Sequence, residues 1–264
     1  MTQQPAVWLD HLAVGYGRAG HHHVVARQLS AGLEAGRLTC LLGSNGVGKS
    51  TLLRTLCGLQ APLEGDVRLM GRPLRSYGTA ALARIVGIVL TVRVDADNMR
   101  VADLVAMGRT PYTGFWGTLG EDDRRAVAQA MRLVSIETFA RRMVRNLSDG
   151  ERQKVMIAKT LAQHVPVMLL DEPTAFLDYP SKVEVMRLLR QVARQEHKAV
   201  LLSTHDVEMA LHAADDLWLM DSAGLRQGTP ASLAANGCLR AFFARDGLDF
   251  DSATARFNWQ DGEM

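Results

Sequence analysis

Nine consecutive residues, Gly43-Ser44-Asn45-Gly46-Val47-Gly48-Lys49-Ser50-Thr51, have the types and spacing of a phosphate cradle. They fit G-x-x-x-x-G-K-[ST], in which glycines let backbone N–H groups point into an anion-binding hollow at a helix N-terminus. Lys49 is then placed to reach β- and γ-phosphates, and the Ser50 hydroxyl to ligate Mg²⁺. A second candidate pair, Asp171-Glu172, follows the apolar run Val167-Met-Leu-Leu170. A strand that ends in two acids beside a phosphate loop suits metal-assisted hydrolysis. Asp171 would hold Mg²⁺ through its water shell, and Glu172 would orient or deprotonate the attacking water. Each motif also has an ordinary reading, as a Gly-rich turn and an acidic strand exit. Their joint presence in one chain argues for the chemistry.

Three further stretches carry candidate residues. In Leu147-Ser-Asp-Gly-Glu-Arg-Gln153, Ser148 and Glu151 form a capping box that opens a helix running to Gln163. The same serine with Gly150 at a helix N-terminus makes a second anion site, and both readings can hold together. His205 follows the apolar run Ala199-Val-Leu-Leu-Ser-Thr204. His21-His22-His23 reads as a solvated loop and not a metal site. The cluster Arg141, Arg142 and Arg145 reads as a solvated helix face.

The elements that must position these residues alternate in type. The opening reads as strands over Ala6–Asp10 and Val24–Ala26, then alternating Leu29, Ala31 and Leu33. Leu38–Leu42 is a short apolar run, which fits a buried strand leading into the cradle, and a helix follows Gly48 with Gly58 as its stop. From about Val101 to His164 the periodicity turns helical. Strands are then expected at Val167–Leu170, Ala199–Ser203 and Leu217–Met220, and helices at Ser181–Glu196 and Val207–Ala214. This predicts an α/β core split by a helical insertion at about residues 95–165, within one domain at residues 1–235, and an amphipathic helix and polar tail at 236–264.

Composition excludes several classes. Thirty basic against 28 acidic residues give a net charge of +2, too balanced to argue for nucleic acid as a main partner. Three cysteines without C-x-x-C spacing predict free thiols in a reducing compartment. No secretory leader and no membrane-spanning apolar run is expected.

Taken in order, the motifs resemble those of ATP-binding cassette (ABC) ATPases over about residues 7 to 230. LSDGERQ is similar to their LSGGQ signature. Phe176-Leu177-Asp178 is similar to the D-loop, Ser203-Thr204-His205-Asp206 to the switch histidine, and Tyr16 in Val14-Gly-Tyr-Gly17 to the aromatic that stacks on adenine. The resemblance implies a P-loop NTPase core of mixed sheet, with an N-terminal antiparallel β lobe and an inserted helical subdomain. It implies ATP and Mg²⁺ as ligands, and a second copy bound head to tail. ATP would then be sandwiched between one cradle and the partner's Ser148, Asp149, Gly150 and Glu151. His205 would contact γ-phosphate in cis, and Asp178 would lie at the dimer interface.

Two positions depart from the family pattern. Thr91 stands where the family carries the glutamine that touches metal and water and relays nucleotide state to the transport partner. No glutamine occurs between Gln60 and Gln129. Asp149-Gly150-Glu151 replaces GGQ and adds acidity beside the phosphate. The stretch Met99 to Tyr112, ending Gly-Arg-Thr-Pro-Tyr, is similar to ATPases of iron–siderophore, haem and cobalamin importers. That likeness implies an integral membrane permease coupled near Thr91, an extracytoplasmic substrate-binding protein, and a peripheral place on the cytoplasmic face of the membrane. A soluble non-transport cassette, or a slowly hydrolysing ATP-gated module, stays open as an alternative.

Overall fold

The computed structural model describes residues 4–18, 21–91, 96–114, 116–244, 248–251 and 256–259. A β lobe opens the chain. Strands β1 (Val7–Arg18) and β2 (His21–Leu33) pair antiparallel, and β4 (Glu64–Leu69) and β5 (Arg72–Pro73) extend the sheet in the order β2-β1-β4-β5. His23, His22 and His21 pair with Tyr16, Gly17 and Arg18, so the histidine triplet is strand and not loop. A polar run reads as loop locally, but cross-strand pairing with β1 decides its state.

The second sheet has the order β10-β9-β3-β8-β7-β6, with β3 (Leu38–Leu42), β6 (Val86–Val89), β7 (Val167–Leu170), β8 (Ala199–Ser203), β9 (Asp216–Asp221) and β10 (Gly224–Gly228). All its pairs are parallel except β9–β10. Its central strands β3, β7 and β8 are buried at every position and mostly apolar because the sheet feeds two cores. Leu38, Cys40, Met168, Leu170, Val200 and Leu202 enter the core that includes the helical lobe. Their neighbours Leu41, Val167, Leu169, Ala199 and Leu201 enter the core under the β lobe.

Helices α1 (Lys49–Leu56) and α2 (Thr79–Leu82) precede β6. The insertion is α3 (Val101–Ala106), α4 (Glu121–Leu133) and α5 (Asp149–Ala162). The Gly108-Arg109-Thr-Pro-Tyr112 run is its joint. A Cβ on Gly108 would lie 2.1 Å from the Lys159 carbonyl oxygen, so only glycine permits this approach to α5. Buried Arg109 donates to Asp123 Oδ1 at 2.8 Å and to the Ala162 carbonyl at 2.8 Å, and stacks 3.9 Å from the Tyr112 ring centre. Arg84, just before β6, lies 4.9 Å from that same ring centre and donates to the Pro111 carbonyl. The joint therefore ties insertion to core.

The chain continues through α6 (Tyr179–Gln195), α7 (Val207–Ala213), α8 (Pro230–Ala235) and α9 (Cys238–Phe243). Beyond α9, β11 (Leu248–Asp251) and β12 (Arg256–Trp259) pair antiparallel where a polar tail is expected from sequence. Among the described residues no helix is long and apolar enough to cross a membrane.

Candidate active site

β3 delivers the chain into the cradle, and steric necessity shapes the loop. A Cβ on Gly43 would sit 2.6 Å from the Met220 carbonyl oxygen of β9, which leaves no room for a side chain. Gly48 has φ +111, a conformation open to glycine, and is the N-cap of α1. No side chain caps that helix end and no acid lies in its first turn. Lys49 folds back over the loop, donating from Nζ to the carbonyls of Gly43 (2.7 Å) and Ser44 (3.1 Å). Burial lowers its pKa, and the nearby charges of Glu172 and Asp171 pull the other way. Ser44, Asn45 and Gly46 form the outer turn, where a Cβ on Gly46 would meet nothing within 4 Å.

The parallel strands end side by side and bring the acids to the cradle, as expected at the carboxyl ends of an α/β sheet. Ser50 Oγ donates to Asp171 Oδ1 at 3.1 Å, and Ser203 Oγ donates to the same oxygen at 2.8 Å. The Ser203 hydroxyl also accepts the Glu172 backbone N–H at 2.9 Å. Thr91 Oγ1 donates to the Asp171 backbone carbonyl at 2.8 Å. Glu172 has φ +48, a left-handed backbone that costs a non-glycine residue conformational energy and turns its carboxylate off the strand line. Its Oε1 lies 2.5 Å from His205 Nε2. Tyr16 Oη lies 2.7 Å from Thr51 Oγ1, which pins the half-exposed ring beside the cradle helix.

The chain thus gathers Tyr16, Lys49, Ser50, Thr51, Thr91, Asp171, Glu172 and His205 at one end of the sheet. Ser203 is a site residue that the sequence reading did not single out. Its signal is a hydroxyl at the last position of a buried apolar strand whose neighbour ends in two acids.

The signature residues are engaged differently. Ser148 Oγ accepts the Glu151 N–H at 3.3 Å and Glu151 Oε2 accepts the Ser148 N–H at 2.9 Å, a reciprocal capping box. Glu151 is also paired with Arg142 at 2.9 Å. Burial alone would raise the Glu151 pKa, but the Ser148 N–H and the Arg142 guanidinium outweigh it and hold the carboxyl below its usual range. Arg141 lies in a turn, Arg142 in a bend and Arg145 in a short 3-10 segment, Val144–Asn146, so the three do not share an α-helix face. A Cβ on Gly150 would lie 3.3 Å from Ser181 Oγ. Asp149 lines a cavity of about 70 Å³ together with Thr91, Asp171 and Glu172. Asp178 caps α6, accepting the Ser181 N–H at 3.1 Å, and its hydrogen bonds with Ser181 hold its pKa down.

Comparisons with known proteins give the family of the chain. The ABC transporter family model matches residues 26–175. The chain is 40% identical to an uncharacterized ABC transporter ATP-binding protein of Methanocaldococcus jannaschii, over 80% of this chain and 71% of that one. It is 36% identical to the achromobactin transport ATP-binding protein of Dickeya dadantii, over 91% and 88%. A solved inward-facing ABC transporter assigned to the metal-chelate type superposes with a TM-score of 0.77 at 27% identity, over 90% of this chain and 89% of that one. With its cradle, paired acids and signature helix in place, this chain belongs to the ABC transporter family as an ATP-hydrolysing, ATP-binding subunit.

Proposed function

We propose that the chain powers uptake of an iron–siderophore, haem or cobalamin type cargo through a membrane permease. The single observation that carries the ATPase half is the linked set Ser50–Asp171–Ser203–Glu172–His205 at the strand ends beside Lys49. The cargo class is supported by likeness to the achromobactin transport protein.

Ser50 and Asp171 present hard oxygen donors 3.1 Å apart, which fits Mg²⁺ held by one hydroxyl and a carboxylate acting through water. Such a cation would neutralise charge on the phosphate oxygens. Lys49, now satisfied by loop carbonyls, turns its ammonium to the β- and γ-phosphates, with backbone N–H groups of Gly46, Gly48 and the start of α1 around them. Tyr16 stacks on adenine. Glu172 accepts a proton from the attacking water, for which its carboxylate must leave His205, and the freed imidazole then faces the γ-phosphate. Two copies close head to tail, so that Ser148, Asp149, Gly150 and Glu151 of one approach the nucleotide of the other and Asp178 lies between them.

Closure is passed to the permease on the face where β6 runs to Thr91 and meets the helical lobe. A groove of about 560 Å³ beside β6, lined by Leu59, Pro62, Leu82 and Ile88 with Asp66, Arg75 and Lys159, suits a segment of mixed apolar and charged character. The protein then sits peripherally on the cytoplasmic face of the membrane, opposite an extracytoplasmic binding protein. Glu172→Gln is expected to bind ATP, to lose turnover by about 10²–10⁴-fold, and to accumulate as a closed dimer on size exclusion. Normal turnover would sink the assignment of the base. A many-helix permease that co-purifies from detergent-solubilised membranes supports the transport reading. Ribosomal or DNA-bound partners alone would overturn it.

A further inference from the structure

Thr91 raises a question that the fold itself answers. Its hydroxyl is committed to the Asp171 backbone carbonyl, and it has no amide to offer toward the base. The cavity beside it, about 70 Å³, is lined on the opposite wall by α5 residues Asp149, Arg152, Gln153 and Met156. These positions are i, i+3, i+4 and i+7, so one face of the signature helix looks at Thr91, Asp171 and Glu172. Most polar groups around the cavity are committed. Arg152 binds Asp97 and the Val144 carbonyl, Asp171 binds Ser50 and Ser203, and Glu172 contacts His205. Gln153 differs: its Nε2 is buried and has no hydrogen-bond partner among the described residues.

A buried amide donor without a partner is costly, and the adjoining cavity, lined by polar and apolar side chains in about equal part, has room for on the order of two waters that a small turn of the Gln153 amide would reach. We propose that Gln153 is a positioning residue for ATP hydrolysis. From the signature helix it supplies the side-chain amide that Thr91 lacks, and through water in the cavity it links α5 to the Thr91–Glu172 wall. The amide touches no reacting atom. It fixes the distance between the helix that reads one nucleotide and the strand end that carries the base for another. This inference rests on the ATPase reading and deepens it.

The test is a double-mutant cycle on the full chain, read by steady-state ATPase activity. Gln153→Met keeps length and loses the amide. Its kcat should fall about tenfold, with the KM for ATP within about twofold of the parent. In a Thr91→Gln background, where the amide returns from the other wall, the same substitution should cost less than about twofold. Equal losses in both backgrounds, a loss confined to KM, or no loss in the parent would each overturn the proposal. If Gln153→Met fails to melt cooperatively, Gln153→Glu replaces it, keeping size while exchanging donor for acceptor, with the same expected pattern. Glu172→Gln run in parallel separates the two levels. If it loses turnover while Gln153→Met does not, the Gln153 role alone falls. If it keeps full turnover, the base assignment falls and this proposal with it.

Discussion

Two helices in this molecule begin at glycine- and serine-containing motifs suited to anions, and their N-termini are built in opposite ways. α1 starts at Gly48 with no side-chain cap and no acid in its first turn, so its N–H groups and positive dipole end stay available to an outside phosphate. α5 starts at Ser148 with a complete capping box, and Asp149 and Glu151 lie in its first turn. Its dipole is answered from within the chain. The cradle end is therefore left open to a ligand, whereas the signature end is satisfied from within its own helix. The loop is backed by the close approach of Gly43 to the Met220 carbonyl of β9. A helix that anchors a whole inserted lobe has no such support and satisfies itself first.

The sharpest way to break this comparison is at the open end. Lys49→Met should reduce ATP turnover about 10³-fold and abolish nucleotide-induced stabilisation. The ligand-free protein should melt no earlier than the parent, because the lost ammonium is one that burial disfavours. Thermal melts with and without ATP check both halves, and a strong loss of apo stability would mean that Lys49 is chiefly structural.

The next largest effect lies in the joint behind the closed end. Arg109→Met leaves Asp123 beside a buried site without its cation and should destabilise the fold by about 3 kcal/mol. The Asp123 carboxyl is held below its usual pKa chiefly by the Arg109 hydrogen bond. Its contribution to stability is thus present above the ordinary carboxylate range and lost as pH falls through the folded value. Urea melts at pH 7 and at low pH should show the Arg109→Met penalty shrinking on acidification. A constant penalty would assign the loss to packing against Tyr112.

The smallest effect sharpens the contrast between the two ends. Glu151→Gln preserves a capping box, since glutamine serves at this position, but removes a negative charge from the helix end. ATP-driven dimerisation in a Glu172→Gln background should tighten by a few-fold, the scale of one charge at a helix terminus. Equilibrium sedimentation would measure it. Weaker dimerisation would show that the Arg142–Glu151 pair is needed for closure and that the acid is no obstacle.

Much of this site is legible in one dimension. Gly43 to Thr51, Val167 to Glu172 and Ala199 to His205 can each be read within a single stretch, because strand length, apolar runs and glycine placement are local properties. The strands at Val167–Leu170 and Ala199–Ser203 match the sequence reading residue for residue. Short polar strands such as β4 and β10 do not stand out, since their residues gain strand character only from the neighbours they pair with. Tertiary structure alone decided how the pieces meet. Ser50 reaches Asp171 across 121 residues and Thr91 reaches it across 80. Ser203 binds both acids, and Gln153 faces the wall behind them. Parallel strands joined by crossovers bring distant strand ends into register, and no local pattern encodes that register. The residue types and the phosphate chemistry were therefore determined by the sequence alone, while the pairing of base, hydroxyl and signature helix was decided by the sheet that assembles them.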